Sequence, residues 1–407
     1  MLPAGFDELD FEQFHSEELP RRLASGNGEL ALEEARRLGP VAFRMTEGGA
    51  YTYRAGASGI EVVPGDETAR NVYELSRESW QAVVHELETA PGLLYAGKVK
   101  CLRGKALRLV FWEPGLRAIY NGRPLFDPDT FELTDRHGAP LDPATAFTLE
   151  DDREDMAHFL RSAGYLVVKN VFDEKEVASF QQAAEELRSA AVPGDRKSWW
   201  GKNAGGEEVL CRVTTARTAS AFQDLYRDPR LTGLIDLSDT ELKARAGTGT
   251  YEGGTVIYKN PDMVEGLSNL PWHRDCGMGG HSLNCPLIIL SAFVTPLNAD
   301  TGELRMLPGS WQGSCPPIDA DSPHAPAGVA LAAEPGDVSL HYGDTMHAAP
   351  PPRRGDLGTY RISALTAFSR AGAPASPRKG AYNDVLLGRD DGQVEHLADV
   401  AERSSPS

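Results

Sequence analysis

The segment PWHRDCGMGG places His273 and Asp275 two residues apart, just after a β-rich run. Another histidine, His347, lies far downstream in GDTMHAAP, and Arg361 follows it in TYRISALTAF. Two imidazoles and one carboxylate can occupy one face of an octahedral iron(II) ion and leave three positions open for substrate and oxygen. The spacing suits this, because residues i and i+2 of an extended segment project to the same side, so one strand end can offer both groups to one metal. The third ligand must then come from a distant strand brought alongside by folding. A buried arginine near such a site suits a dicarboxylate co-substrate, since guanidinium pairs with carboxylate bidentately.

Other residues compete for roles at this site. His341 precedes His347 inside a predicted strand and is expected to be a half-buried strand histidine rather than the third ligand. His281, in GGHSLN, is placed in a loop near the pocket mouth, and His324, in SPHAPAG, in solvent. His15, His85, His137, His158 and His396 have no metal-ligand spacing. Trp272 and Cys276 flank the ligand pair and are candidates for substrate contact. Cys276 is a soft ligand in principle, but strand neighbours face opposite ways.

The elements that must position these groups are short strands. PLIILSAFVTPL, ELRML, VSLHY and RISALTAF each read as a strand, separated by Gly/Pro turns such as Pro308-Gly309 and Gly343-Asp344. Such a series predicts a sandwich or barrel. A ligand pair at one strand edge and a lone ligand near another is what a double-stranded β-helix supplies.

Residues from about 148 to 372 resemble the phytanoyl-CoA dioxygenase family of iron(II)/2-oxoglutarate oxygenases. The resemblance is carried by WHRD, TGELRMLPGS, GDVSLHYGDTMH and YRISALTAF, in family order, together with a helix–strand–helix unit ahead of them. It implies an α+β chain with a double-stranded β-helix (jelly-roll, cupin-like) core, flanking helices, and iron(II), 2-oxoglutarate and O2 as cofactors. It also implies that His273, Asp275 and His347 are the iron ligands and that Arg361 binds the distal carboxylate of 2-oxoglutarate. Ser363, two residues along the same strand, faces the same way and is expected to add a hydrogen bond, and Lys259, on TVIYKN, is expected to face the co-substrate pocket. The family often has His after PGS, where this chain has Trp311, a change expected to alter a pocket wall or loop. Related halogenases replace the carboxylate with a small residue to admit chloride, so Asp275 argues for hydroxylation or a related oxidation such as desaturation.

Length and composition set the frame. A chain of 407 residues predicts two domains, and no run approaches the ~18 apolar residues of a spanning helix. The acidic start MLPAGFDELDFEQFHSEEL lacks a signal-peptide pattern, so the cytoplasm is the expected location. The five cysteines form no CxxC pair and are expected to be reduced. A net charge of −18 repels phosphate backbones and argues against a nucleic-acid partner. Arg212, Arg217, Lys259 and Arg274 are the candidates for holding an anionic carrier such as a CoA thioester, unless they are scattered surface charge.

Residues 1–120 read as a small α+β domain, with a helix over 29–38, a hairpin in AYTYRAGASGIEVVPG, and a helix over 76–87 capped by Ser76. LLYAGKVKCLRGKALRLVFWEPG is expected to form one or two strands around Gly97 and Gly104. The pattern is similar to sterol-carrier-like lipid-binding domains; a structural domain or a homodimerisation surface is the equal alternative. Residues 121–147 read as an extended linker and 148–390 as the oxygenase domain, opened by a helix at Thr148 with Asp151 in a capping-box-like position. A second helix starts at Asp173 with Glu176. Trp199 and Trp200 fall in a polar loop, as a lid over substrate or a structural plug. Residues 391–407 are expected to be loose. The expected activity is oxidation of an unactivated C–H bond in a small molecule that is lipophilic, carrier-linked or a secondary metabolite. A non-catalytic metal-binding sensor or scaffold, or a metal-dependent cupin isomerase, are the other readings.

Overall fold

The first segment builds five strands: β1 (Val41–Met45), β2 (Ala50–Ala55), β3 (Ile60–Pro64), β4 (Asn71–Leu75) and β5 (Val99–Arg103). They form one sheet of order β3-β2-β1-β4-β5, antiparallel except where β1 runs parallel to β4. The structure, a computed structural model, describes residues 6–245, 252–260, 270–276, 287–319, 322–353, 361–370 and 397–406. His281 lies outside the described residues.

The predicted hairpin is β2–β3, and Ser76 caps the helix Arg77–Val84 by accepting from the Ser79 amide. The strand expected after Gly104 is instead a helix, Leu107–Asn121. Gly104, at φ +86°, ends β5 and turns the chain. Leu109, Trp112, Leu116 and Ile119 then recur at a spacing of three and four and are all buried, a helical period that outweighs the β propensity of Val110, Phe111 and Trp112. The interior is filled by Phe14, Phe43, Tyr53, Tyr73, Trp80, Trp112 and Tyr120. The tail expected to be loose also joins this core. Leu397–Arg403 is helical, Val400 and Ala401 are buried in the same cluster, and the Ala106 amide donates to Ser405 Oγ.

The second half holds β6 (Phe147–Thr148), β7 (Tyr165–Lys169), β8 (Ser198–Lys202), β9 (Glu208–Val213), β10 (Leu242–Ala244), β11 (Gly254–Lys259), β12 (Leu270–His273), β13 (Ile288–Phe293), β14 (Leu304–Met306), β15 (Val329–Leu331), β16 (Val338–Tyr342), β17 (His347–Ala349) and β18 (Arg361–Arg370). Nine of these form a sheet of order β6-β7-β16-β13-β18-β11-β9-β8, with β10 also on β18. The other four form a sheet of order β12-β17-β14-β15. Met306 and Leu331 from the smaller sheet share one buried cluster with Val256, Leu290 and Leu340 from the larger, so the two sheets pack face to face. This is the double-stranded β-helix with flanking helices.

The helix Arg153–Ala163 is capped by Asp152, which accepts from the Glu154 and Asp155 amides. Thr148 and Asp151 bond each other in the turn just ahead, so the capping-box expectation misplaced the start. Gly164, at φ +89°, ends this helix. Asp173 and Glu176 form a full capping box on the helix Glu174–Ala190. Trp199 and Trp200 are not on a loop. They sit on β8, paired to β9, with Trp199 buried under Arg212, whose guanidinium lies 4.6 Å from the ring centroid. Of the two roles offered for Trp199, burial favours the plug. No helix among the described residues is long and apolar enough to cross a membrane.

Candidate metal centre

Antiparallel pairing puts two histidines side by side. In the β12–β17 ladder His273 is the direct partner of His347, so their side chains rise on one face, with ring centroids 4.2 Å apart. Asp275 follows two residues after His273, where the Asp275 and Cys276 amides both donate to the Gly343 carbonyl, at 2.8 and 3.0 Å. The arm carrying the first pair is thereby tied to the turn that leads into His347. One donor atom each from His273, Asp275 and His347 lies within 4.8 Å of the others.

The two imidazoles are oriented alike. His273 Nδ1 bonds the Pro271 carbonyl at 2.8 Å, and His347 Nδ1 bonds the Thr345 carbonyl at 3.0 Å. A carbonyl only accepts, so each Nδ1 carries the proton and each Nε2 presents a lone pair. Burial lowers the His273 pKa to about 4, aided by the neighbouring His347, and burial likewise lowers that of His347. Burial opposes charge on Asp275, yet His347, His341 and His273 outweigh it and hold the carboxyl far below its ordinary value. At neutral pH the cluster is two neutral imidazoles and one carboxylate, the protonation state a divalent metal requires.

A fourth residue belongs to this cluster. His341 Nε2 lies 3.3 Å from Asp275 Oδ2, and its ring centroid is 4.7 Å from that of His347. It is buried rather than half-buried, at 3% exposure. Sequence reasoning missed its contact with Asp275, because only the packing of β16 against the smaller sheet brings them together.

Beside the cluster, Lys259 on β11 and Arg361 on β18 are cross-strand partners, both buried. Lys259 Nζ donates to the Ala349 carbonyl at 2.7 Å, two residues beyond His347, and Arg361 Nη1 donates to the Gly302 carbonyl. Burial and then the Arg361 charge push the Lys259 pKa well down, against the pull of Glu303, while burial alone lowers Arg361 to about 10. Arg361 Nε is buried with no hydrogen-bond partner. A buried guanidinium with an unsatisfied donor, flanked by Lys259, fits an acidic small molecule, since such a group is otherwise costly. Ser363 is buried two residues along β18.

The remaining candidates line walls. Trp272 packs with Leu307, Cys315 and Met346, and Cys276 with Leu287 and Ala367. The four basic residues offered for an anionic carrier are engaged elsewhere. Arg274 pairs with Glu113, Arg217 donates to the Glu252 carbonyl and covers Tyr226, Arg212 covers Trp199, and Lys259 faces inward. Trp311, expected to alter a pocket wall or loop, lies 4.4 Å from the Tyr342 ring and donates to the Arg161 carbonyl at the end of the helix Arg153–Ala163.

No curated protein matches this chain. Among solved structures, the chain is similar to AviO1 from Streptomyces viridochromogenes Tue57 (22% identity, 56% of this chain and 98% of that one, TM-score 0.43). It is similar to the epimerase SnoN from nogalamycin biosynthesis (21%, 57% and 86%, TM-score 0.44) and to EctD from S. alaskensis with 2-oxoglutarate and 5-hydroxyectoine (20%, 61% and 89%, TM-score 0.44). These likenesses are too distant to bring a substrate to this chain. Residues 160–355 match the phytanoyl-CoA dioxygenase (PhyH) family. Through that stretch, a little under half of the chain, the protein is similar to the phytanoyl-CoA dioxygenase family of iron- and 2-oxoglutarate-dependent oxygenases.

Proposed function

We propose that His273, Asp275 and His347 hold iron(II), that Arg361 anchors the far carboxylate of 2-oxoglutarate, and that the enzyme hydroxylates an unactivated C–H bond of a small molecule. The observation that carries this reading is the cross-strand pairing of His273 with His347, with Asp275 completing a three-donor group. Iron and 2-oxoglutarate, when bound, supply the oxidising equivalent from O2 and release succinate and CO2. The chain's own residues bind and orient. The Pro271 and Thr345 carbonyls fix both imidazoles, the Arg361 fork meets a carboxylate, Lys259 flanks it on the neighbouring strand, and Ser363 offers a hydroxyl. Buried walls around Trp272 and Cys276 help exclude water. A carboxylate at 275, where related halogenases have a small residue, supports hydroxylation. With Arg212, Arg217, Lys259 and Arg274 otherwise engaged, a lipophilic or secondary-metabolite substrate is favoured over a CoA thioester. A scaffold has no use for the buried Lys259–Arg361 pair, so catalysis is preferred to it.

The test is succinate formation and O2 consumption by the full chain with iron(II), 2-oxoglutarate and a panel of lipophilic metabolites. Iron-dependent succinate that rises with one panel member is expected. Tight iron binding with no succinate under any condition would leave the scaffold reading standing, and turnover without O2 would point to the isomerase.

A further inference from the structure

Arg274 stands between His273 and Asp275 and is aimed away from them. Its Nη2 donates to Glu113 Oε1 at 2.5 Å, and its Nη1 lies 3.5 Å from Asp344 Oδ1. Glu113 belongs to the helix Leu107–Asn121 of the first segment, and its other oxygen accepts from the Ala90 amide at 2.6 Å. One turn along that helix, Arg117 donates to Asp344 Oδ2 and to Glu86 Oε1, each at 3.0 Å. Arg123 completes the group on Glu86. Three guanidinium groups meet three carboxylates, and both Glu113 and Arg117 are buried. Asp344 follows Gly343, whose carbonyl holds the Asp275 arm, and shortly precedes His347. One helix of the first segment therefore grips both ligand-bearing stretches from behind.

A buried ionic network adds little net stability, because desolvation offsets attraction; what it specifies is geometry. We propose that Glu113 and Arg117 are positioning residues, through which the first segment sets the spacing between the His273/Asp275 arm and the His347 turn. This rests on reading those three residues as the metal ligands. The coupling makes metal affinity a property of both halves of the chain.

The experiment titrates the full chain with cobalt(II), reading affinity and the visible d–d spectrum, beside the melting temperature. Glu113→Gln is expected to weaken cobalt(II) roughly 10- to 100-fold and shift the spectrum, and Glu113→Asp to recover part of both. Glu88→Gln breaks the Lys98–Glu88 pair within the same segment without reaching Arg274, and is expected to lower the melting temperature with cobalt affinity unchanged. If Glu113→Gln fails to fold, Asp344→Asn and Glu113→Asp carry the same comparison. Wild-type affinity and spectrum in these variants, or equal weakening by Glu88→Gln, overturns the coupling. Failure of the ligand reading shows separately, as cobalt binding that His347→Ala leaves intact; that result overturns both.

Discussion

His341 Nε2 and Asp275 Oδ2 stand 3.3 Å apart across the two sheets, while His347 Nε2 is 3.7 Å from the same oxygen. One carboxylate oxygen thus faces a proposed ligand and a histidine outside the three-donor group. A partner that fixes a ligating carboxylate typically changes metal affinity without abolishing it.

The roles of the two histidines are therefore expected to separate on mutation. His347→Ala should abolish stoichiometric iron(II) binding and 2-oxoglutarate turnover. His341→Ala should weaken iron about 10- to 100-fold and keep turnover at saturating metal. Isothermal titration with iron(II) under nitrogen checks both; the reverse ranking would move the third ligand to residue 341.

Arg361→Lys is expected to raise the 2-oxoglutarate requirement at least tenfold while leaving iron affinity within about twofold. Lysine keeps the charge but loses the two parallel N–H donors that match a carboxylate, a loss on the order of 1.4 kcal/mol or more. Steady-state succinate formation against 2-oxoglutarate concentration measures this. An unchanged KM for 2-oxoglutarate would place the anchor elsewhere, with Lys259 the next candidate.

What the sequence revealed and what it hid divide along a physical line. The short strands and the meeting of His273, Asp275 and His347 were legible because local period and turn chemistry mark short strands, and because the donor types are chemically distinctive. The helix Leu107–Asn121 was misread, since its aromatic and β-branched residues favour a strand locally and only tertiary burial, all round from Trp112 to Tyr120, decides for a helix. The docking of Leu397–Arg403 and the Arg274–Glu113 pair were invisible for a different reason. Both join residues far apart in the chain, and no spacing rule encodes such a contact.

Gly164→Ala is expected to destabilise the second half by about 2 kcal/mol or more. Gly164 has φ +89°, where an L-residue pays roughly 1–2 kcal/mol in strain. An added Cβ would also sit 2.6 Å from both Thr345 Oγ1 and Trp311 Cδ1. The Gly164 carbonyl accepts from the Tyr342 amide and Thr345 Oγ1, in the turn that delivers His347, so iron affinity should fall with stability. Thermal unfolding with and without iron(II) reads both effects; a variant matching wild type in each would show that the turn relaxes freely.

Acid should weaken the first segment through His15. Its Nδ1 donates to the Phe11 carbonyl at 2.7 Å and its Nε2 accepts from Tyr53 at 2.6 Å, while Tyr120 donates to Tyr53 at 2.9 Å. Burial lowers the His15 pKa from 6.5 to about 4 although the Phe11 bond opposes it. Between those values the unfolded chain binds a proton that the folded one refuses. Stability is therefore fully present above pH 6.5 and declines as pH falls towards 4, by about 1.4 kcal/mol per pH unit from this one group. His15→Gln removes the titration, so its unfolding free energy, followed by the fluorescence of the buried Trp80 and Trp112, should slope less steeply over that window by the same amount. Identical slopes for the two proteins would mean that His15 is protonated in the folded state and that the Tyr53 bond runs the other way.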